Sequence, residues 1–417
     1  MTVIMFFEFL IGLTDVYIAG RVSKEVQAAY GFAIQSYFVL IVVANALTVG
    51  SVSVISRLFK SGDQDELTEA LFTSILTSGL AGVILAVTGM LFAPGIINLL
   101  SLPEALKHLS APFVRIYAVG LIFHYLLINF NGILRSCGMV KKSLRTMAVV
   151  CGLNIGLNFF YVFLTPLGFR GIAAATASSV FIGSLLNLIH VRRVMIGNIR
   201  FSADPLKKIV RIGWPMGVLQ VFWQLSSMVL FLILSALPEH RVETLAALTA
   251  GLRIESAIYL PVFGFNMANA VVVGNLLGEK KGGDAFRSGM VTALIGVMVV
   301  TVMVIAVVLN ARWIVSFLSN NEIVVRESIK YIYISMISEP FMAWGVILAG
   351  GLNGAGDTRS VLTRVAVSLW FVRIPLSYIS VVFFGLGAVS VWWCMNLSQF
   401  VQAFLISKRY FRKGWLG

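Results

Sequence analysis

The feature that most constrains this chain is that it is written twice, and both copies consist of segments long and apolar enough to cross a bilayer. Near the end of the first copy stands Asn131-Gly132-Ile133-Leu134-Arg135-Ser136-Cys137-Gly138, followed by a basic turn and a long apolar run. Roughly 217 residues later stands Gly351-Leu352-Asn353-Gly354-Ala355-Gly356-Asp357-Thr358-Arg359, again followed by an apolar run. Upstream, Ile55-Ser56-Arg57-Leu58 through Asp63 is echoed by Val273-Gly274-Asn275-Leu276 through Lys280. Two similar membrane bundles can rock against each other around a central site. That is the simplest route to alternating access, so the repeat points to a transporter.

A spanning helix needs about 20 mostly apolar residues. Twelve segments meet this, at roughly 2–20, 30–55, 69–99, 112–134, 143–165, 171–194, 209–237, 243–273, 288–318, 328–351, 360–384 and 386–407. The expected fold is an all-α membrane protein with twelve transmembrane helices in two pseudo-symmetric six-helix lobes. The lobes cover residues 1–194 and 209–417, joined by a cytoplasmic linker at 195–208 that contains Asp204-Pro205, a helix-starting pair. The first helix begins almost at Met1, so either it is short or a piece precedes it. A cleaved signal peptide is not expected, because no basic leader or small-residue cleavage site is present.

The chain is 59% hydrophobic and 12% charged, with net charge +14. No soluble domain of this length hides so much apolar surface. The positive charge reads as an orientation signal rather than a nucleic-acid footprint. Sorted by side, 21 Lys and Arg lie in the loops that share a face with the C-terminus and 10 on the other side. The bias places both termini in the cytoplasm, in a plasma or inner membrane. The 3 Cys lack metal-ligand spacing, so neither a disulfide framework nor a metal site is indicated. No Walker A motif, HExxH or GxSxG occurs, and the 4 His are scattered, so nothing supports an enzyme.

Ionisable groups inside spanning helices are costly and mark function by default. Glu8 and Asp15 lie seven residues apart in the first helix, on one face and about 10 Å apart along the axis. Two carboxyl groups so placed suit proton loading and release. The competing reading makes Asp15 a helix-end cap and Glu8 a snorkelling acid. Helix five carries Asn154 and Asn158 at i and i+4, and helix six carries Thr176 beside three alanines. These could be interhelical hydrogen-bonding groups alone. With Asp15 they would also make an oxygen-rich niche for a proton or a small monovalent cation. Aligning the halves sets Glu8 and Asp15 against Ser226 and Ile233, and Asn154, Asn158 and Thr176 against Phe371, Pro375 and Trp393. A purely architectural cluster would recur in both halves, so the asymmetry concentrates ion coupling in the N-terminal lobe.

Other intramembrane polar residues are substrate-path candidates: Gln35, Gln220, Gln224, Glu255, Glu339 and Arg373. Two bland pairings compete with that reading. Glu255 could pair with Arg253, and Glu339 could neutralise Arg373.

Along essentially its whole length the sequence resembles the multidrug and toxic-compound extrusion (MATE) family. The carriers are Leu13-Thr14-Asp15-Val16-Tyr17 in helix one, Ser56-Arg57-Leu58, Arg135-Ser136-Cys137-Gly138, and Asn154-Ile155-Gly156-Leu157-Asn158. Further carriers are Gly171 through Thr176, Arg253-Ile254-Glu255-Ser256, Val273-Gly274 through Gly278, and Gly354-Ala355-Gly356-Asp357-Thr358. The resemblance implies two six-helix lobes, a central cleft, and export driven by sodium or proton entry. Asp15 matches the family's helix-one acid, implicated in cation coupling, and Asn154 and Thr176 match its polar partners. Asn158 departs from the Asp of many relatives. Helix ten offers Met342, with Glu339 one turn earlier, where another branch has its acid. The chain therefore looks closer to the branch whose working acid lies in the N-terminal lobe.

The expected function is secondary active antiport exporting amphipathic, often cationic, organic compounds, in the manner of multidrug or xenobiotic efflux. The coupling ion is expected to be a proton, with sodium as the alternative and no other cofactor. Beyond the lipid bilayer and small organic substrates no partner is expected, and the chain should act as a monomer. A lipid-linked precursor flippase of the related superfamily is the runner-up, disfavoured by the acidic character of the first lobe.

Overall fold

The computed structural model of the chain describes residues 2–99, 104–237, 241–318 and 322–416. The helices are α1 (Thr2–Val22), α2 (Lys24–Ser61), α3 (Gln64–Leu99), α4 (Glu104–Ser136), α5 (Val140–Phe163), α6 (Gly171–Arg192), α7 (Ala203–Ser235), α8 (Arg241–Gly278), α9 (Gly282–Leu309), α10 (Ala311–Leu318), α11 (Glu322–Ser335), α12 (Glu339–Gly354), α13 (Thr358–Ala366), α14 (Ile374–Tyr378) and α15 (Ala388–Phe411). Among the described residues there are no strands. Among them eleven helical spans are long and apolar enough to cross a membrane, and the bent pair α11–α12, taken as one span, makes twelve. Leaving aside the first two residues, the chain divides into compact units at Val3–Gly217 and Val218–Gly417, with the cut inside α7.

Helix ends follow from the turn residues. Gly62 closes α2 in the left-handed conformation, φ 90°, which costs glycine little. Asp63 then caps α3, its carboxylate accepting from the Glu66 amide at 2.9 Å. In the second copy the corresponding left-handed residue is Lys280, φ 59°. The segment between α6 and α7 is strapped to α3 rather than hanging free. The amides of Gly197, Asn198 and Ser202 donate to Thr68, Asp65 and Thr73 at 3.0–3.1 Å, and Arg200 pairs with Glu69 at 3.0 Å.

The two units repeat one packing scheme. In the first, α4 is the hub and packs against α2, α3 and α6; in the second, α12 packs against α8, α9 and α15. Both hubs approach their neighbours through glycine. A Cβ on Gly132 of α4 would sit 2.7 Å from the Thr48 methyl on α2, and one on Gly354 of α12 would overlap the Ala270 carbonyl on α8. Close approach of backbones is how helices associate where lipid offers no hydrophobic drive.

Helix ten differs from the unbroken span expected at 328–351. It breaks after Ser335, and α11 and α12 meet at 54°. Pro340, in the first turn of α12, has no N–H to continue the ladder. The Ile334 carbonyl at the break is served from α15. Asn396 donates to the Ile334 carbonyl at 2.6 Å and accepts from the Ser338 hydroxyl at 2.7 Å. Helix eleven is also irregular. Two wide turns, Val367–Arg373 and Ile379–Phe383, flank the short α14, which carries Pro375. The segment expected at 288–318 divides into α9 and α10 at Asn310.

Gly354→Ala is expected to lower stability by about 1–3 kcal/mol, because the clash is with backbone that cannot rotate away. Gly156→Ala, with nothing within 4 Å, should be neutral or slightly stabilising. Thermal unfolding of the purified protein in detergent checks both.

Candidate functional site

Asp15 is placed on the inner side of α1, 2% exposed. A carboxylate there has no water to solvate it, and the fold supplies substitutes. Asn158 Nδ2 donates to Asp15 Oδ1 at 2.7 Å, and Thr176 Oγ1 donates to Oδ2 at 2.9 Å. A second tier holds these in place. Asn154 Nδ2 donates to Thr176 Oγ1 at 3.1 Å, and Asn158 Nδ2 also reaches Asn154 Oδ1 at 3.2 Å. The i, i+4 spacing sets both amides on one face of α5, and Ala173 and Ala175, both fully buried, let α6 bring Thr176 alongside.

Two further members were not among the sequence-derived candidates. Tyr30 of α2 is 2% exposed and lies within the electrostatic reach of Asp15. Tyr117 of α4 is 2% exposed, within the electrostatic reach of Asp15. Neither is charged or set in a polar run, so only their burial beside an acid marks them. The niche thus draws on α1, α2, α4, α5 and α6, all within the first unit. Its oxygens are the two of Asp15, those of Tyr30 and Thr176, and the amide oxygens of Asn154 and Asn158. That of Asn158 is buried without a partner.

Glu8 does not share this environment. It lies two turns earlier on the same helix but is exposed, with Arg135 of α4 as the charge that acts on it. Gln35 lies on α2, and its side chain falls outside the described residues.

In the second unit, Glu255 of α8 is 1% exposed. It does not pair with Arg253, which is exposed. Its oxygens accept from Tyr331 at 2.6 Å and Tyr259 at 3.1 Å. Glu339 and Arg373 likewise do not form an ion pair. Glu339 is fully buried at the start of α12, and neither of its oxygens has a hydrogen-bond partner. Arg373 donates from Nε to Ser398 at 2.8 Å and lies 5.8 Å from the centre of the Trp223 ring. Trp223, Glu255, Arg373 and Gln399 line one cleft with Phe231 and Met395. Gln220, with its Oε1 buried and unpartnered, and the exposed Gln224 sit on α7, outside that lining. Among the described residues no group of three or more His, Cys, Asp or Glu could hold a metal ion.

The MatE family model matches residues 1–160 and 215–379, most of the chain and both copies. The chain belongs to the MATE family. The match to both halves agrees with the duplicated packing. An uncharacterized transporter, YisQ of Bacillus subtilis, is 21% identical over 97% of this chain and 90% of its own length. A probable multidrug resistance protein, NorM of Thermotoga maritima, is 24% identical over 92% and 84%. Among solved structures, the Vibrio cholerae MATE transporter VcmN in its bent form superposes with a TM-score of 0.91, at 19% identity and over 99% of this chain and 94% of that one. A MOP superfamily transporter of Pyrococcus furiosus superposes with a TM-score of 0.89, at 20% identity and over 100% and 94%. In this MATE chain the most completely furnished buried acid is Asp15.

Asn158→Leu removes one donor from Asp15 and keeps a similar volume. It is expected to cost about 1–3 kcal/mol, the penalty of an unsatisfied buried acceptor. Asp15→Asn/Asn158→Leu should recover part of that loss, since no charge is then left stranded. A double-mutant cycle on thermal unfolding measures the coupling.

Proposed function

We propose that this MATE protein is a secondary active antiporter that exports amphipathic, often cationic, organic molecules in exchange for a cation taken up at Asp15. The carrying observation is the single buried carboxylate of α1, held by side chains from the surrounding helices of the first unit. A bare charge inside a membrane protein is costly, so its occupant matters to the conformations it can join. The names of relatives such as NorM, a probable multidrug resistance protein, support drug efflux as the class of work. Family membership supports transport rather than catalysis.

The coupling ion is a proton rather than sodium. Sodium, like other hard cations, gains from several oxygens and from more than one negative charge. Asn158 leaves Asp15 the one acid of the niche. A lone buried carboxyl group can take up one proton and become neutral, which removes its attraction for a cationic cargo. Proton entry and cargo release are then linked through a single charge. Glu8, exposed on the same helix, relays the proton to or from Asp15. In the second unit the cleft beside Trp223, Glu255, Arg373 and Gln399 forms part of the substrate path; Glu339, Gln35, Gln220 and Gln224 are further candidates to contact substrate. The protein acts as a monomer in the cell membrane, both termini cytoplasmic. The boundary between its two working lobes lies at 195–208.

In proteoliposomes, wild-type protein should expel a cationic dye when a proton gradient is imposed, and Asp15→Asn should abolish the response. Glu8→Gln should slow efflux without abolishing it. Asn158→Asp should make efflux responsive to a sodium gradient. Robust sodium-driven efflux by the wild type with no response to a pH gradient would overturn the proton assignment and leave Asp15 as a sodium ligand.

A further inference from the structure

One end of the second unit gathers positive charge that its own acids do not balance. The segments 279–287, 357–364 and 408–413 hold nine Lys and Arg against three acids. Two of those acids are already engaged, Asp357 by Arg409 at 2.6 Å and Glu279 by Lys281 at 2.8 Å. Arg364 donates to the Ser360 carbonyl at 2.7 Å and feels the charges of Arg409 and Arg412 as well as that of Asp357. Arg409 takes the carboxylate of Asp357, while among the described residues neither Arg364 nor Arg412 has an acid within 4 Å.

The arrangement is fixed rather than frayed. After α15 the chain hooks back. Trp415 donates from its indole N–H to the Tyr410 carbonyl at 2.8 Å and packs on the Tyr410 ring, while the Tyr410 hydroxyl donates to the Phe286 carbonyl at 3.0 Å. The hook sets the Lys413 ammonium 4.8 Å from the centre of the Phe286 ring. Among the described residues, the two non-glycine residues in the left-handed region are both lysines at this end, Lys280 and Lys413.

The same end carries an apolar track. Leu397, Phe404, Lys408 and Phe411 fall on one stripe of α15 at i, i+7, i+11 and i+14. The three apolar members are 46–65% exposed and Lys408 is exposed. The span ends at Phe411, so Lys408, Arg412 and Lys413 stand where the helix leaves the hydrocarbon. Lys408 and Arg412 have no acid within 4 Å among the described residues.

We propose that this end of the second unit binds the headgroup of an anionic phospholipid. The phosphate would lie against Arg412, Lys413 and Arg364, and an acyl chain along Phe411, Phe404 and Leu397. A phosphate satisfies clustered guanidinium groups through charge-assisted hydrogen bonds, and basic groups at a membrane surface attract anionic lipid. The apolar stripe running into the cluster selects a lipid over a free anion. The proposal is independent of the export reading and of the coupling ion.

The test uses the full-length protein, delipidated in detergent and titrated with dioleoyl phosphatidylglycerol or dioleoyl phosphatidylcholine, with bound lipid resolved by native mass spectrometry. The wild type should bind one phosphatidylglycerol with about tenfold or greater preference over phosphatidylcholine. Lys408→Gln/Arg412→Gln/Lys413→Gln should lose that preference by about tenfold or more. A control that removes the same charge from the first unit, Lys141→Gln/Lys142→Gln/Arg145→Gln, should keep it. Equal binding of the two lipids by the wild type, or equal loss in both triple variants, would overturn the site. Millimolar inorganic phosphate should fail to displace the bound lipid; displacement would show a simple phosphate site and overturn the lipid assignment. If the C-terminal triple variant does not fold, the wild-type lipid preference and the phosphate competition still decide.

Discussion

The structure depends on one constraint: inside a membrane there is no water to satisfy a polar group, so every buried donor, acceptor or charge must be served by another part of the chain. Asp15 shows the constraint at its most costly. Its carboxylate accepts from an amide of α5 and a hydroxyl of α6, with the buried phenol of Tyr30 on α2 close enough to feel its charge. Each donor sits on a helix whose position is set by small residues elsewhere. Fully buried Ala173 and Ala175 let α6 approach, and Gly132 lets α2 and α4 close. The tight packing of the first unit is thus the means by which one acid is tolerated.

The same constraint explains how two copies of one scaffold come to carry different chemistry. The hub helices α4 and α12 keep equivalent neighbours, and Gly132 of the first answers Gly350 of the second, where a Cβ would overlap the Asn266 carbonyl on α8. Where the first copy has an unbroken α4, the second has a break at Pro340. At the break Asn396, itself bonded to Ser338, serves the Ile334 carbonyl. It also sets Glu339, without a hydrogen-bond partner, at the head of α12. Discontinuous helices are tolerated at membrane depth where other protein groups cover the exposed backbone. Symmetry governs the packing, while the polar residues at the breaks and niches are free to diverge.

Much of this was legible in the sequence. Length and hydropathy locate the spans, because the bilayer sets both. The repeated Gly138 and Gly356 turns mark the duplication, because the left-handed backbone at φ 73° and 82° restricts the choice of residue. The amide pair on α5 was visible from its spacing, and its meeting with Asp15 from the cost of burying an acid alone. Other features were not legible. Tyr30 and Tyr117 look like ordinary aromatic spans until the fold turns their hydroxyls inward. The break in helix ten was signalled by Glu339-Pro340, but proline also occurs inside α4, α7 and α8 without dividing them. Whether it breaks a helix depends on who satisfies the freed carbonyls, which is a tertiary fact. Pairings failed for a related reason. Glu255 finds two tyrosine hydroxyls rather than Arg253, because the arginine two residues along points to another face of α8.

The makeup of the Asp15 niche has a further consequence. Its partners are amides and hydroxyls, which can each donate or accept, and no fixed cation is among its hydrogen-bond partners. An ionised Asp15 accepts from Asn158 and Thr176, as the geometry stands. A protonated Asp15 has one hydrogen to donate, and the Asn158 amide oxygen is buried without a partner. A turn of that amide, or of the Thr176 hydroxyl, exchanges donor for acceptor with no movement of a helix. An arginine or lysine in the same place would hold the carboxylate permanently ionised. An all-apolar surround would hold it permanently neutral. Side chains that serve either state keep both within reach, as the ion-coupling role proposed for Asp15 would require.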